Sequence, residues 1–419
     1  MISIQIGKNE AQKKRYRLLA LSVLINLGTL FVFKYYNFFV DNFIRLFDSI
    51  GYHLDAGSLN VILPVGISFY TFQSMSYTID VYRKDIQPTK DLPVFLAYIS
   101  FFPQLVAGPI ERASHLIPQF IKKREFSYDY AVDGLRRVLW GFFKKVVIAD
   151  NCAVFVNKIF ESYPDYSGST LVLGMFIFAF QLYCDFSGYS DIAIGTAKIF
   201  GFDIRENFRF PYFSENVTDF WRRWHISLSS WLRDYLYTPI AIRTRDWGTK
   251  SILFATMVSF VLIGFWHGAN WTFVVFGFLQ GFIISYELLT RNQRKKIKKK
   301  MNKNLYKWIG IISTFIFFVA SLVFFRSESL SDAMAYFSGI FSKSLFTIPS
   351  IISPMFRMMY VLIFILVFII IEWRRKDKEH VLQIENLSAI KRWFIYSTII
   401  CLIIVFARFN ANDFIYFQF

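Results

Sequence analysis

The sequence is poor in charged side chains and in cysteine. Asp, Glu, Lys and Arg make up 18% of the 419 residues, against about 25% in a typical soluble domain. The three cysteines, Cys152, Cys184 and Cys401, are an odd set without a CxxC spacing. These shortages exclude a disulfide-stapled scaffold and a cysteine-based zinc site, and they disfavour an ordinary soluble enzyme.

Apolar and aromatic residues are in excess. Hydrophobic residues account for 55% of the chain and aromatic residues for 20%, and they occur in long blocks. A transmembrane helix needs about 20 mostly apolar residues, so we predict an all-α, polytopic membrane protein with about nine to eleven spans. Several blocks are short or interrupted, which predicts re-entrant or broken helices around a central cavity. The predicted spans are 18–40, 61–79, 93–110, 138–160, 170–182, 192–202, 252–265, 271–289, 308–325, 358–371 and 393–409.

Basic residues concentrate between the apolar blocks and give a formal net charge of +17. Cytoplasmic loops of membrane proteins collect Lys and Arg, so this excess indicates topology and disfavours nucleic-acid binding. Residues 291–307 carry basic charges without an acid and predict a cytoplasmic loop. The whole chain, 1–419, is expected to be one membrane domain. Its parts are a core over 18–290, the basic loop at 291–307 and C-terminal spans over 308–419.

Three stretches are too polar for their apolar surroundings, and such stretches indicate functional sites. The first, 101–112, is interrupted by proline and glycine and ends on Glu111 and Arg112. It predicts either a kinked helix with a local ion pair or a re-entrant wall of a cavity. The second, 181–192, contains Asp185 and Asp191. Acids six residues apart share a helix face poorly, so each is expected to have its own partner.

The third polar stretch, 211–239, is rich in tryptophan and arginine and contains Asp219. An amphipathic helix at the membrane interface accounts for the tryptophans and arginines. It accounts less well for His225. Further along, Trp266, His267 and Asn270 end an apolar block, where neighbouring glycines allow close approach of a helix or substrate. Asn270 is a candidate for holding one tautomer of the His267 imidazole.

Five runs together resemble the membrane-bound O-acyltransferases, in the branch of the alginate O-acetyltransferases. They are Leu-Pro-Val-Gly-Ile-Ser-Phe-Tyr-Thr-Phe-Gln from 63, Phe-Phe-Pro-Gln-Leu-Val-Ala-Gly-Pro-Ile from 101, Tyr-Cys-Asp-Phe-Ser-Gly-Tyr-Ser-Asp from 183, Asp-Phe-Trp-Arg-Arg-Trp-His-Ile-Ser-Leu-Ser from 219 and Gly-Phe-Trp-His-Gly-Ala from 264. The resemblance extends over about 18–289, in order and with sensible spacing. Members of this branch usually carry further spans before the segment like 18–40, so a fragment or a short form is expected.

The resemblance implies that His267 is the intramembrane catalytic histidine and that His225 occupies the second invariant polar position. His267 would act as general base, and His225 would orient a substrate or stabilise the oxyanion. Asn270, Asp185, Asp191, Asp219 and Trp266 form the predicted supporting and cavity-lining set. The other histidines, His53, His115 and His380, are expected to be solvated.

The resemblance also implies the substrates and partners. The donor is expected to be acetyl-CoA or another acyl thioester from the cytoplasm, with no tightly bound cofactor and no metal. The acceptor is a hydroxyl of a cell-envelope or secreted polysaccharide, reached with an extracellular or periplasmic acyltransferase partner. The expected location is a bacterial plasma membrane. Alternatives are a transporter, an inactive or truncated scaffold, an enzyme acting on lipids or proteins, and an acyl-enzyme on Cys184.

Overall fold

The computed structural model describes residues 1–55, 57–59, 61, 64, 66–106, 108–350, 355–408 and 414–415. Within these residues the chain forms nineteen α-helices and no β-strand, so the predicted all-α class is confirmed. The helices are α1 (Ile2–Lys8), α2 (Gln12–Leu30), α3 (Tyr36–Ser49), α4 (Ile67–Arg83), α5 (Leu92–Ile99), α6 (Ala113–Ile121), α7 (Tyr128–Phe142), α8 (Asp150–Glu161), α9 (Gly168–Ile199), α10 (Val217–Arg223), α11 (Ile226–Leu232), α12 (Thr238–Arg243), α13 (Thr249–His267), α14 (Trp271–Leu289), α15 (Arg291–Lys300), α16 (Lys303–Arg326), α17 (Leu330–Ile340), α18 (Met355–Arg375) and α19 (Ala389–Phe406).

Three π-helical segments join neighbouring helices with no intervening residue. They are Phe31–Tyr35 between α2 and α3, Phe143–Ala149 between α7 and α8, and Arg233–Tyr237 between α11 and α12. A π-helical turn widens the helix and redirects the side chains that follow it, and such turns are frequent at functional sites. The segment Phe31–Tyr35 matters most here, because it places Lys34 against the end of α13.

Seven helical stretches of the described chain are long and apolar enough to cross a membrane: Gln12–Ser49, Gly168–Ile199, Thr249–His267, Trp271–Leu289, Lys303–Arg326, Phe356–Arg375 and Ala389–Phe406. The nine to eleven predicted spans included short and re-entrant ones, which are not among these seven. The predicted spans 170–182 and 192–202 are one continuous helix, α9. The predicted span 93–110 contains only the short helix α5 before the chain turns.

Parts of three predicted spans lie outside the described residues. These are positions 62, 63 and 65 of the span 61–79, position 107 of the span 93–110, and position 409 of the span 393–409. The described remainder of the first forms α4, and that of the last forms α19.

The core is organised around α9, which is buried along most of its length. Helix α7 packs across it so closely that a Cβ on Gly141 would lie 2.6 Å from the carbonyl oxygen of Gly188. Helices α13 and α14 approach each other in the same way, since a Cβ on Gly264 would lie 2.1 Å from the carbonyl oxygen of Phe273. Small residues allow this backbone contact between apolar helices, and the second contact fixes the position of the turn that follows α13.

The structure adds local detail to two predicted segments. Residues 291–300 of the predicted basic loop form the helix α15, because a run of Arg, Lys and Gln has good helix propensity. In the segment 101–112, Glu111 and Arg112 do not pair with each other. Glu111 contacts Nδ1 of His115 at 2.8 Å, and Arg112 contacts Asp234 at 3.1 Å. The chain between α5 and α6 is irregular, and both side chains are buried.

Candidate active site

His267 is the last residue of α13, and 6% of it is exposed. The helix ends there, and Gly268 after it is extended, with φ −159°. A Cβ at Gly268 would lie 2.2 Å from the Phe273 ring, so this position has room only for glycine. Aromatic rings surround the imidazole: the ring centroid of Trp266 lies 5.0 Å away and that of Phe325 lies 5.2 Å away. His267 therefore sits in an aromatic pocket at the end of a helix of membrane-spanning length.

Lys34 holds the carboxyl end of α13. Its Nζ donates hydrogen bonds to the carbonyl oxygens of Trp266 at 3.0 Å and His267 at 2.8 Å. The last carbonyls of a helix lack intrahelical partners and carry partial negative charge, so a cation there stabilises the helix end. Sequence reasoning missed Lys34. A lysine inside the apolar block 18–40 was the available signal, because intramembrane charge indicates a site.

Asn270 caps the following helix. Its Oδ1 accepts the backbone N–H of Thr272 at 3.1 Å, and its Nδ2 donates to the carbonyl oxygen of Glu328 at 2.7 Å. Asparagine is a favoured N-cap because its side chain satisfies an unpaired helix donor. In this arrangement the amide serves α14 and the turn after His267, and not, as predicted, the imidazole tautomer.

His225 lies between α10 and α11 in the left-handed backbone region, with φ 44°, and is fully buried. Its Nδ1 lies 3.0 Å from Oδ1 of Asn207. Its Nε2 has no hydrogen-bond partner among the described residues. Burial, and secondarily the nearby His267, lower the pKa of His225 well below its ordinary value, so the ring is neutral near pH 7.

Trp266 connects the two histidines. Its ring centroid lies 6.3 Å from that of His225 and 5.0 Å from that of His267. On its other side the indole stacks on Phe72 at 5.4 Å. The structure thus brings together three predicted site residues that are up to 42 positions apart in the chain. Between them they offer two imidazoles and one large aromatic face.

The three predicted acids are paired with cations. Asp185 contacts Lys145 at 2.6 Å, Asp191 contacts Lys144 at 2.6 Å, and Asp219 contacts Arg223 at 3.1 Å. The expectation that Asp185 and Asp191 each have their own partner is confirmed. The first two pairs are largely buried and join α9 to the π-helical segment Phe143–Ala149, whereas Asp219 and Arg223 form a partly exposed pair within α10. Asp185 and Asp191 therefore tie α9 to the neighbouring segment of the core.

The tryptophans of the 211–239 stretch are packed inside the protein. Trp221, Trp224 and Trp231 are all buried, and the stretch is divided into the short helices α10, α11 and α12. It is therefore not one amphipathic helix that exposes its tryptophans. His225, in the left-handed region, lies at the break between α10 and α11.

A cavity of about 830 Å³ is lined by residues that lie near the two histidines in the chain. Its wall includes Ile226, which follows His225, and Ile263, which precedes His267 by one helical turn. Ser229, Thr256 and Ser259 also line it. Basic side chains line another part of its wall: Arg222, Arg233, Arg291, Arg294, Lys295 and Lys298. The cavity therefore runs from cationic side chains to the neighbours of both imidazoles.

The remaining histidines divide between solvent and ion pairs. The His53 side chain is 89% exposed, as predicted. His115 is partly exposed and pairs with Glu111 and Asp203. His380 is buried, with Nε2 2.7 Å from Asp133, so its predicted exposure is wrong. The loop that contains His380 packs against the protein, and apolar residues next to His380 in this loop are buried as well. Cys184 is also fully buried within α9.

Comparison with known proteins gives one family match. The model of the membrane-bound O-acyltransferase family matches residues 86–327. A probable alginate O-acetylase of Pseudomonas putida is 41% identical over 348 residues, covering 81% of this chain and 68% of the relative. That of Pseudomonas aeruginosa is 40% identical, covering 81% and 64%.

Relatives with other acceptors in their names also match. The peptidoglycan O-acetyltransferase of Helicobacter pylori is 35% identical, over 81% of this chain and 67% of the relative. The teichoic acid D-alanyltransferase of Bacillus subtilis is 29% identical, over 62% and 67%. This chain thus spans about two thirds of the length of these relatives.

Proposed function

Because this chain belongs to the membrane-bound O-acyltransferase family, we propose that it moves an acetyl or other short acyl group from a cytoplasmic thioester toward hydroxyls of a cell-envelope or secreted polysaccharide. The observation that carries the proposal is the pair of buried imidazoles, His225 and His267, which both contact the Trp266 ring, near a cavity with a cationic wall that Ile226 and Ile263 also line. Two buried imidazoles suit proton transfer to and from a reacting hydroxyl.

His267 acts as the general base of this reaction. Its imidazole takes the proton of the acceptor hydroxyl as the oxygen attacks the thioester carbonyl. The C–S bond then breaks and the imidazolium gives its proton to the departing sulfur, so that a thiol leaves and an oxygen ester is formed. A positioned base contributes about 10²–10⁴-fold to such a step. Lys34 fixes the backbone of His267, so that the imidazole keeps its place through the reaction.

The cavity is the proposed donor site. Its basic wall suits a phosphorylated thioester such as acetyl-CoA, because Arg and Lys are the usual phosphate-binding side chains. Cytoplasmic segments collect basic residues, so α15 and this wall are placed on the cytoplasmic side. A cavity of about 830 Å³ is within the size range of small-molecule sites.

The acceptor is proposed from the names of the relatives, which are alginate O-acetylase, peptidoglycan O-acetyltransferase and teichoic acid D-alanyltransferase. All three name polymers of the bacterial envelope or exterior. The proposal therefore places this enzyme in a bacterial plasma membrane. A separate acyltransferase on the outer side is the proposed partner that completes transfer to the polymer.

The test is acyl transfer by membranes that contain the full chain. Membranes with and without the protein receive acetyl-CoA labelled in the acetyl group and a polysaccharide extract from the cell envelope. We expect hydroxylamine-labile label in the polysaccharide only when the protein is present. An outer-side acyltransferase from the same genome is added in a parallel arm to supply the proposed partner.

The alternatives give different results in the same experiment. A transporter moves label into sealed vesicles without forming new esters, so labelled thioester would be recovered intact. An inactive scaffold gives no ester, whether or not the partner is added. Ester then forms only when a longer, active relative is supplied. An enzyme that acts on lipids or proteins leaves the label in the organic or protein fraction. Each of these outcomes contradicts the proposed reaction.

A further inference from the structure

Asn207 is fixed in one orientation by its neighbours. It is fully buried, and its Oδ1 accepts hydrogen bonds from the backbone N–H of Ser227 at 3.4 Å and from the Ser227 hydroxyl at 2.8 Å. Its Nδ2 donates to the hydroxyl of Ser190 at 3.1 Å. A backbone N–H can only donate, so the oxygen of the amide, and not its nitrogen, must face Ser227 and His225.

The same oxygen determines the tautomer of His225. Nδ1 of the imidazole lies 3.0 Å from Oδ1 of Asn207. An amide oxygen only accepts, so Nδ1 carries the proton and Nε2 of the neutral ring keeps its lone pair. Nε2 is buried without a hydrogen-bond partner among the described residues. A buried acceptor left unpaired is costly, so it marks a place where a donor is expected to bind.

We propose that Asn207 is a positioning residue that locks His225 in the Nδ1–H tautomer, so that Nε2 accepts a hydrogen bond from an O–H or N–H group of the bound substrate and orients it, while His267 takes the proton of the reacting hydroxyl. This inference rests on the proposed acyl transfer. It decides between the two roles expected for His225, because stabilising an oxyanion from Nε2 needs a proton there. With Nδ1 protonated on a neutral ring, Nε2 cannot donate and can only accept.

The groups that face His225 do not supply a competing charge. Phe186 of α9 meets the ring edge-on at 4.6 Å, Phe69 of α4 lies at 6.5 Å, and Trp266 of α13 lies at 6.3 Å. The titratable group acting on His225, within the described part of the chain, is His267. A charge placed at position 207 is therefore expected to dominate the titration of His225.

The first test compares Asn207→Leu and Asn207→Asp with a matched control. Asn207→Leu removes the acceptor. Asn207→Asp keeps it and adds a negative charge beside the imidazole. The control is Asn151→Leu, because Asn151 is 1% exposed and its amide donates to the carbonyl oxygens of Val147 and Phe406, far along the chain from His225. It reports the cost of losing a buried amide as such.

We expect Asn207→Leu to lower kcat/KM by about 10- to 100-fold at every pH, beyond any loss in Asn151→Leu, because a buried hydrogen bond that positions the substrate-orienting imidazole is lost. Asn207→Asp should retain activity at high pH. Its acid limb should move to higher pH, because a neighbouring carboxylate raises the pKa of His225. If Asn207→Leu matches Asn151→Leu and the Asn207→Asp profile equals that of the wild type, the proposal is wrong.

The second test needs no turnover. Histidine is labelled with ¹⁵N in the detergent-solubilised full chain, and the His225 signals are assigned by their loss in His225→Gln. We expect a pyrrole-type Nδ1 and a pyridine-type Nε2 in the wild type and in Asn151→Leu, and a changed tautomer ratio in Asn207→Leu. A pyrrole-type Nε2 in the wild type would overturn the inference. If acyl transfer itself fails, this measurement still decides the role of Asn207.

Discussion

The ammonium group of Lys34 donates a hydrogen bond to the carbonyl oxygen of His267 at 2.8 Å, and a second one to the carbonyl oxygen of Trp266. These residues are more than 200 positions apart, and the contact joins the first long helical stretch to the end of α13. A cation at the carboxyl end of a helix donates hydrogen bonds to the last carbonyl groups, which have no donor within the helix. Through it, the N-terminal helices take part in positioning the proposed base.

Replacing Lys34 tests this contact. Lys34→Met keeps the apolar stem but removes the donors, and we expect a loss of about 1.5–3 kcal/mol in stability, because the two hydrogen bonds are charge-assisted. The acyl-transfer rate should fall as well. Lys34→Arg retains donors and should keep most of both properties. Thermal unfolding in detergent and the transfer assay measure the two effects. Equal melting temperatures and equal transfer rates of Lys34→Met and Lys34→Arg would show that these hydrogen bonds contribute to neither property.

The contact between α13 and α14 should be intolerant of a methyl group. In Gly264→Ala the new Cβ would lie 2.1 Å from a backbone oxygen that cannot rotate away, so the helices must separate, at about 1–3 kcal/mol. Gly28→Ala is the control. Gly28 lies within α2 with nothing within 4 Å of its Cβ position, and alanine there should be neutral or stabilising. Similar melting temperatures for the two variants would refute the close packing.

If the cationic cavity wall binds the donor, removing its lysine charges should weaken donor binding. Lys295 and Lys298 line the cavity, whereas Lys296 and Lys299 of the same helix are not part of its wall. Replacing the first pair by Gln should raise KM for acetyl-CoA by about 3- to 10-fold, as expected for two partly solvated ion pairs. The second pair replaced by Gln has the same net charge and should change KM little.

A donor without phosphates distinguishes direct contact between the lysines and the donor phosphates from a general effect of the lysine charge. For S-acetylpantetheine the Lys295→Gln/Lys298→Gln variant should behave as the wild type, because there is no phosphate for the lysines to contact. An equal rise of KM for both donors, or an equal effect of the two lysine pairs on acetyl-CoA, would contradict the proposed donor site.

His115 predicts a specific dependence of stability on pH. Hydrogen bonds to Asp203 and then to Glu111 raise the pKa of His115 from 6.5 to about 9 in the folded protein. Its stabilisation is therefore complete below about pH 6.5 and is lost as the pH rises through 9. Because the site is partly exposed, we expect less than about 1 kcal/mol.

The measurement is the melting temperature from pH 6 to pH 9.5. The wild type should lose stability across the upper part of this range, and His115→Gln should lack that part of the slope. His53→Gln is the control, because the His53 side chain is 89% exposed and contacts only the neighbouring Asp48 in the described structure. If His115→Gln keeps the slope of the wild type, the ion pair does not titrate as described.

Sequence patterns predicted the fold class well because hydrophobic block length directly reflects membrane thickness. The motifs predicted the family and its acyltransferase class, and the match over residues 86–327 confirms both. Helix boundaries were less predictable. Asp185 and Asp191 suggested a break between two spans, but cations on the π-helical segment Phe143–Ala149 pair with both acids and allow α9 to continue.

The sequence predicted which residues belong to the candidate site better than it predicted the contacts between them. The grouping of His225, Trp266 and His267 follows from how α11 and α13 pack, which no local pattern encodes. Lys34 and Asn207 escaped notice for different reasons. Lys34 was counted as part of an apolar span, and Asn207 belongs to a polar connection whose role depends on a single hydrogen bond to a distant imidazole.

The most direct test of the central claim compares His267→Ala with His380→Ala in the acyl-transfer assay, at matched membrane abundance and melting temperature. Both histidines are buried, but His380 binds Asp133 and has no part in the proposed site. We expect His267→Ala to lose about 10²-fold or more of the transfer rate and His380→Ala to stay within a few-fold of the wild type. Equal transfer by the two variants would show that His267 is not the base.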